Sequence, residues 1–440
     1  MIGARALRRF GVMLGGEVAQ SLFHFGLNIV LVRLLPARDY GIFAFVLLLG
    51  GLALTYVRSL CGMPANLYVP LRAPRRGAYA YDVTFGSGAV LLAGVIVVVV
   101  AGVLRVWFHT PAAAASAFVG LWSLRSYVRS SLFAKRQPVL AGISDLAFVV
   151  SGFGLALALL HGSPDQLLDR AFDTLSAANC IALLVAFALQ RRRVRISFGP
   201  RMRQRYQDLS RQLSWSVLGV TTANVQAQGQ VFLIALVAGP AAYAPVAAML
   251  MFFAPLRLAA AALANMMQPE LARMVAAGEG AQIRRVAMTW TLVMAGVAAL
   301  AGLGVAVGVA LVPIAVFAGQ PRLVIGVLAW IISTMPLLYV VPRVLLEVRR
   351  AFRLITVMAA ASALVGLTVG GVLLVVSTPI WSLVGIALSE IIVAVWCWAE
   401  VFRWQPVHGG AAAASRRVAT PVRTADGRVA PMLRERRNRP

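Results

Sequence analysis

Three cysteines, Cys61, Cys180 and Cys397, are scattered over 440 residues, too few and too far apart for a disulfide framework. The four histidines, His24, His109, His161 and His408, share no ligand spacing, which argues against a zinc site. There is no GxxxxGK[ST] loop, no HExxH pair and no glycine fingerprint of a dinucleotide fold, so nothing supports ATP-driven work by this chain alone. Its energy has to come from gradients or partners, and no metal or cofactor is expected. Acidic residues are scarce as well: 15 stand against 41 basic ones, and charged residues make up only 13% of the chain. Soluble domains average roughly 25% charged residues. A soluble globular chain is excluded.

What is abundant is apolar sequence. Hydrophobic residues reach 60% and mean hydropathy is +0.82. Apolar runs of about 20 residues recur, each long enough to cross a hydrocarbon layer of roughly 30 Å at 1.5 Å per residue. Charged, proline and glycine breaks divide them into twelve spans, near 10–32, 40–62, 83–104, 112–133, 139–160, 172–190, 213–237, 242–268, 287–311, 323–345, 354–376 and 381–402. The fold class expected is an all-α polytopic membrane protein. The segment before residue 10 reads as a short cytoplasmic leader and not as a cleaved signal.

Alternation across these spans puts five arginines, Arg33, Arg38, Arg105, Arg170 and Arg322, on the side opposite the N-terminus and most of the other basic residues on the N-terminal side. Both termini are therefore expected in the cytoplasm. The net charge of +26 then reports sidedness, with anionic inner-leaflet lipid as its partner and no nucleic acid implied. Four regions follow: an N-terminal six-helix lobe at 1–190, a basic cytoplasmic linker at 191–212, a C-terminal six-helix lobe at 213–404 and a disordered basic tail at 405–440. Within 191–211, Met202, Tyr206, Leu209 and Leu213 recur at helical spacing after Pro200, which predicts an amphipathic helix lying on the membrane surface. The two sets of six suggest an internal duplication. Pro36 and Tyr40 near the first outer turn correspond to Pro240 and Tyr243, with the tyrosines 203 residues apart, and repeats of six helices would be parallel, with a substrate path between them.

Polar groups at membrane depth need a reason, since a charge there costs roughly 2.5 to 3.5 kcal/mol even on the lenient insertion scale. Arg125 and Arg129 fall one turn apart in the fourth span, and Arg257 follows Pro255 in the eighth. They can bind an anionic substrate, for which the guanidinium fork is suited, or they can pair structurally, Arg129 with Asp145 for instance. The first span carries Glu17, Gln20, Ser21, His24 and Asn28 on one stripe. Glu17 and His24 titrate and are candidates for ion coupling, while Ser21 and Asn28 suit interhelical hydrogen bonds. The seventh span has two polar rows, Thr221-Asn224-Gln228 and Thr222-Gln226-Gln230, too many for one packing seam, so Asn224 and Gln228 are read as sugar-facing. Glu390 in the last span is either a neutral buried acid or a pairing partner, and Gly366 with Gly370 forms a GxxxG.

The stretch RLLPARDYGIF, Arg33 to Phe43, has an R-x-L-x-x-x-x-Y-G pattern. Gly239, Pro240, Tyr243, Pro255 and the run Gln268 to Ala272 give a second pattern, and SLVGIALSEII from Ser382 to Ile392 a third. Over about 10–405 the chain thereby resembles polysaccharide exporters of the multidrug/oligosaccharidyl-lipid/polysaccharide flippase superfamily. Two departures stand out: Gln228 and Gln230 occupy a helix where relatives often carry an acid, and Ala242 replaces a glycine. The resemblance implies a V-shaped, exporter-like pair of six-helix bundles and no enzyme. It implies translocation of an undecaprenyl-pyrophosphate-linked oligosaccharide across the bacterial inner membrane for O-antigen, capsule or exopolysaccharide assembly, working with a polysaccharide polymerase and chain-length machinery. Alternatives are a cation-coupled multidrug exporter or a peptidoglycan-precursor flippase of the same superfamily. A membrane-embedded polymerase is disfavoured, because the longest outer loop, near 161–171, has no acid/base cluster.

Reporter fusions test the topology: those at Arg38, His161 and Gln320 should report the periplasm, and those at Arg76, Arg203 and Arg350 the cytoplasm. A periplasmic signal at Arg203 would overturn the arrangement of two six-helix sets.

Overall fold

The computed structural model describes residues 4–71, 75–135, 137–159, 166–190, 196–311 and 314–403, and among these the chain is helical with no strand. The helices are α1 (Ala4–Leu34), α2 (Ala37–Val57), α3 (Met63–Leu71), α4 (Arg75–Val103), α5 (Ala113–Ala134), α6 (Pro138–Leu159) and α7 (Leu167–Leu189), followed by α8 (Pro200–Leu233), α9 (Pro240–Phe252), α10 (Ala254–Ala277), α11 (Gly280–Leu311), α12 (Arg322–Val348), α13 (Phe352–Val376) and α14 (Leu383–Arg403). A π-helical turn, Arg58–Gly62, fuses α2 to α3, and α9 runs into α10 through a bend of 48°. Twelve helical passes result, matching the twelve expected spans. Eight are long and apolar enough to cross a membrane, and the bent pair makes a ninth. The other three are α1, α5 and α8, the helices that carry the polar stripe, the arginine pair and the glutamine rows.

Local chemistry sets the boundaries. Proline opens α6, α8 and α9, where its missing N–H costs nothing and its fixed φ suits a first turn. Residues in the left-handed region close others: His109 (φ 52°), Gly278 (φ 74°) and Arg350 (φ 58°). Pro336 and Pro342 sit inside α12, where each deprives the carbonyl four residues earlier of its donor. The carbonyl freed by Pro342 belongs to Leu338, and it accepts from Thr291 Oγ1 at 3.2 Å and from Trp398 Nε1 at 3.1 Å. In hydrocarbon, where water cannot take that place, the proline is tolerated because α11 and α14 each supply a donor.

First-half helices pack on one another, with α1 on α6, α6 on α7 and α5 on both α4 and α7; in the second half α12 holds α10, α11 and α14, and α13 packs on α14. On the face away from Ala4 and Arg403 the halves meet. There α2 packs on α9, α1 touches the short turn Ala315–Phe317, and Phe45 crosses to Phe232 with ring centroids 5.5 Å apart. One buried cluster spans both halves at this level, through Tyr40, Phe43, Tyr243 and Phe317. Nearer the chain's ends the second half has separate clusters, one of them built on Leu263, Met267, Leu271 and Val341, and α10 packs on α11 and α12 of its own half.

The segment 200–211 corrects the sequence reading. It does not lie on the membrane surface but is the opening of α8, which runs unbroken for 34 residues. Its apolar side faces protein: Tyr206 reaches Gly88, where any Cβ would come within 2.0 Å of the phenol oxygen, and meets Phe85 edge-on at 5.8 Å. Arg205 Nη1 donates to the Ala80 carbonyl and to Thr84 Oγ1. Surface helices and packed helices share one periodicity, and tertiary contact decided between them. Residues 191–195 and the basic tail from 404 onward lie outside the described residues.

The GxxxG of α13 is used. Gly366 and Gly370 face Gly385 of α14, where an added Cβ would stand 2.4 Å from the Gly366 carbonyl oxygen and 2.6 Å from the Gly370 nitrogen. Gly385→Ala should therefore force the two backbones apart and cost about 1 to 3 kcal/mol, read as a lower melting temperature of the detergent-solubilised protein. An unchanged melting temperature would show that the contact is not tight.

Candidate functional site

The fourth pass places Arg125 midway along α5, and the packing of α5 against α6 and α7 surrounds it with acceptors. Its side chain is only 4% exposed. Nε donates to Asn179 Oδ1 at 2.9 Å, Nη1 to Asp145 Oδ1 at 3.3 Å, and Nη2 to Gln20 Oε1. The guanidinium also lies 4.0 Å from the centroid of the Phe148 ring. Arg129 is one turn away on the same face, and its Nε donates to Asp145 Oδ2 at 2.8 Å. Asp145 is thus clamped by two guanidiniums. It fits against α1 because residue 16 is glycine: a Cβ there would lie 2.6 Å from Asp145 Oδ2. The pairing of Arg129 with Asp145 is the structural alternative raised by the sequence, and Arg125 joins it. Of the partners, Asn179 carried no signal in the sequence beyond being a polar residue in an apolar helix.

The stripe on α1 faces this network. His24 lies among Phe23, Trp122 and Phe148, with ring centroids 5.5 to 5.7 Å away. Its Nε2 is buried with no hydrogen-bond partner among the described residues. Asn28 Nδ2 bonds the His24 carbonyl at 2.9 Å. The side chain of Glu17 lies outside the described residues.

On α8 the two polar rows face different halves. From the first row, Thr221 bonds the Tyr56 hydroxyl at 2.9 Å and Asn224 Nδ2 donates to Thr55 Oγ1 at 2.8 Å, both on α2. Ser216 to Ser59 at 2.7 Å and Gln212 to Tyr68 at 2.9 Å continue that seam toward α3. From the second row, Gln226 Nε2 donates to Glu390 Oε1 of α14 at 2.8 Å, and Tyr339 of α12 donates to Glu390 Oε2 at 2.7 Å. Gln230 lies against Gly366 and Gly370 of α13. A small recess lined by Gln226, Arg343, Met358 and Val393 adjoins this carboxylate. Asn224 and Gln228 were read as sugar-facing. Asn224 is engaged with α2, whereas Gln228 keeps a buried Oε1 without a partner among the described residues.

Arg257 stands apart from the other cations. It lies 17 residues from Pro240 and 20 from Ala277, so it is about midway along the bent pass. It also follows Tyr243 by 14 residues, close to four turns at 3.6 residues each, and so lies near the face that α9 turns toward α2. Beyond the bend α10 leaves the first half, and the Arg257 side chain is exposed. Protein still surrounds it at longer range. Among the described residues it makes no hydrogen bond or ion pair, and Tyr243 is its electrostatic neighbour. The structure therefore does not gather the candidates into one cluster. Arg125, Arg129 and His24 sit inside the first half, Asn224 and Gln228 on the seam helix, and Arg257 is exposed on the second half.

No family model matches the chain, and a search of curated proteins returns no match. Solved structures do match. A multidrug resistance MATE family transporter of the MOP superfamily, in an inward-facing conformation, superposes with a TM-score of 0.62 at 13% identity, over 87% of this chain and 94% of its own. A MOP superfamily transporter from Pyrococcus furiosus, described as having a binding pocket of reverse polarity, gives 0.56 at 14% identity over 90% and 94%. The eukaryotic MATE transporter AtDTX14 gives 0.55 at 15% identity over 94% and 99%. The chain has the fold of these MATE transporters, and it is a multi-pass membrane protein. Each of these three solved structures is described as a transporter.

Asp145→Ala should remove the carboxylate that two guanidiniums of the first half share. Breaking a buried pair costs roughly 3 to 5 kcal/mol, so membrane abundance should fall well below that of the parent protein in a quantitative blot. Normal abundance would show that water or another group replaces the carboxylate.

Proposed function

We propose that this protein is a transporter of the bacterial inner (cytoplasmic) membrane, with both termini cytoplasmic, and that it moves an undecaprenyl-pyrophosphate-linked oligosaccharide across that membrane for O-antigen, capsule or exopolysaccharide assembly. The observation that carries the reading is Arg257, an exposed guanidinium about midway along its pass, on a helix that packs on α11 and α12 of its own half, and unpaired among the described residues. A cation in that position favours an anionic cargo and repels a cationic one. A diphosphate suits the guanidinium fork, and the free Oε1 of Gln228 offers a sugar hydroxyl an acceptor. Arg125 and Arg129 reach a substrate only by releasing Asp145, so in this reading Arg257 makes the primary contact. The exporter-like stretch RLLPARDYGIF supports the same branch. Anionic inner-leaflet lipids, and a polymerase with its chain-length machinery, are the partners this reading implies.

A second reading, a cation-coupled multidrug exporter, is favoured by the solved structures of shared fold, among which is a multidrug resistance MATE transporter. It would use Glu17 or His24 for coupling, with Glu390 as the buried acid of the second half.

The two readings separate in a strain lacking the native gene. Arg257→Ala should abolish polymer output per inserted protein while leaving abundance near normal, and Arg257→Lys should restore it in part. Normal output from Arg257→Ala would overturn the role of this residue. Altered drug susceptibility with unchanged polymer would favour the second reading.

A further inference from the structure

The tyrosines that mark the internal repeat, Tyr40 and Tyr243, are both buried where α2 packs on α9, close enough to influence one another electrostatically. They lie at matching places in their helices, α2 beginning at Ala37 and α9 at Pro240. The pseudo-symmetry relating the halves thus runs through this contact. Two further observations meet there. Gly41 packs directly on the Pro240 carbonyl, where any Cβ would come within 1.8 Å of the oxygen, so the two helices touch backbone to backbone. The Tyr40 hydroxyl is buried and has no hydrogen-bond partner among the described residues.

We infer that the Tyr40/Gly41–Pro240/Tyr243 contact is the gate on the face away from the chain's ends, and that the orphan Tyr40 hydroxyl keeps the closed gate from being too stable. The close approach at Gly41 gives the closed state its packing. Against it stands the cost of a hydroxyl stripped of water without a partner. When the halves part on this face, water reaches the phenol and that cost disappears. A transporter has to keep both states accessible within a few kcal/mol, and one unsatisfied hydroxyl at the joint biases the balance by an amount of that size. The inference concerns the gate alone and does not depend on the identity of the cargo, so the substrate reading can fail without it.

Spin labels at Arg105 and Gln320, exposed residues near that face on opposite halves, would report the separation by pulsed electron resonance in reconstituted protein with Cys180→Ser. Tyr40→Phe keeps the ring and removes the orphan oxygen, so the ratio of short to long distances should rise about fivefold or more, the equivalent of at least 1 kcal/mol for an unsatisfied buried group. Gly41→Ala should move the distribution toward long distances. A Tyr40→Phe distribution that is unchanged or shifted to longer distances overturns the role of the hydroxyl. An unchanged Gly41→Ala distribution in monodisperse protein overturns the gate. If Gly41→Ala does not insert, Tyr40→Phe, which preserves shape, decides independently.

Discussion

Hydrocarbon offers no hydrogen-bond partner, and α8 carries Thr221, Asn224, Gln226, Gln228 and Gln230 within three turns. Such a helix is stable in a bilayer only if protein surrounds its polar faces. It meets that condition by being shared: one row bonds α2 in the first half, and the other bonds α14 and packs on α13 in the second. The placement of the halves follows. With its opening turns held on α4 through Arg205 and Tyr206 and its later turns held on Glu390, α8 ties the halves together across the width of the protein. Neutral hydrogen bonds between membrane helices are worth about 0.6 kcal/mol each on average. A seam of four such bonds toward α2 and α3 then totals roughly 2 kcal/mol, enough to set register and small enough to break when a transporter changes state.

Charge is handled differently in the two halves. In the first, Asp145 binds two guanidiniums, and Asn179, Gln20 and the Phe148 ring take up the remaining capacity of Arg125. Two arginines at membrane depth are thereby made structural. In the second half no such carboxylate among the described residues reaches Arg257, whose electrostatic neighbour is a tyrosine. Residue type and depth are alike for Arg125 and Arg257, and the surroundings alone separate a buried, paired guanidinium from an exposed one.

That difference explains what the sequence showed and what it hid. Twelve passes were legible because apolar runs and proline or glycine breaks are local signals, and Pro36, Pro200 and Pro240 do mark helix starts. The pairing of Arg129 with Asp145 was readable as an option, since only one acid sits in α6. The partners of α8 were not readable. Two polar rows on one helix say that two faces need company, but not that Thr55 and Tyr56 answer one and Tyr339 with Glu390 the other, because those contacts join residues more than a hundred positions apart. The surface helix expected at 200–211 failed for a related reason: its apolar stripe fits a membrane surface and the groove on α4 equally well. The π-helical turns, Arg58–Gly62 among them, left no trace in composition.

The two helices that carry the matching tyrosines diverge after a shared start. α2 and α9 begin alike and pack on each other, yet α2 continues through a π-helical turn into α3, whereas α9 bends by 48° into α10. The cause is local. Pro255 supplies no N–H to the Met251 carbonyl, and Leu256 bonds back to Phe253 at 3.0 Å in a tightened turn, so the helix loses a rung where it is asked to continue. The position equivalent to Pro255, 203 residues earlier, is Leu52, and there α2 stays regular. Pro255 thus turns α10 onto α11 and α12 of its own half, and Arg257, two residues further on, is exposed. Had the second half copied the first at this point, the guanidinium would have faced a packed helix and would have needed a carboxylate such as Asp145 to neutralise it.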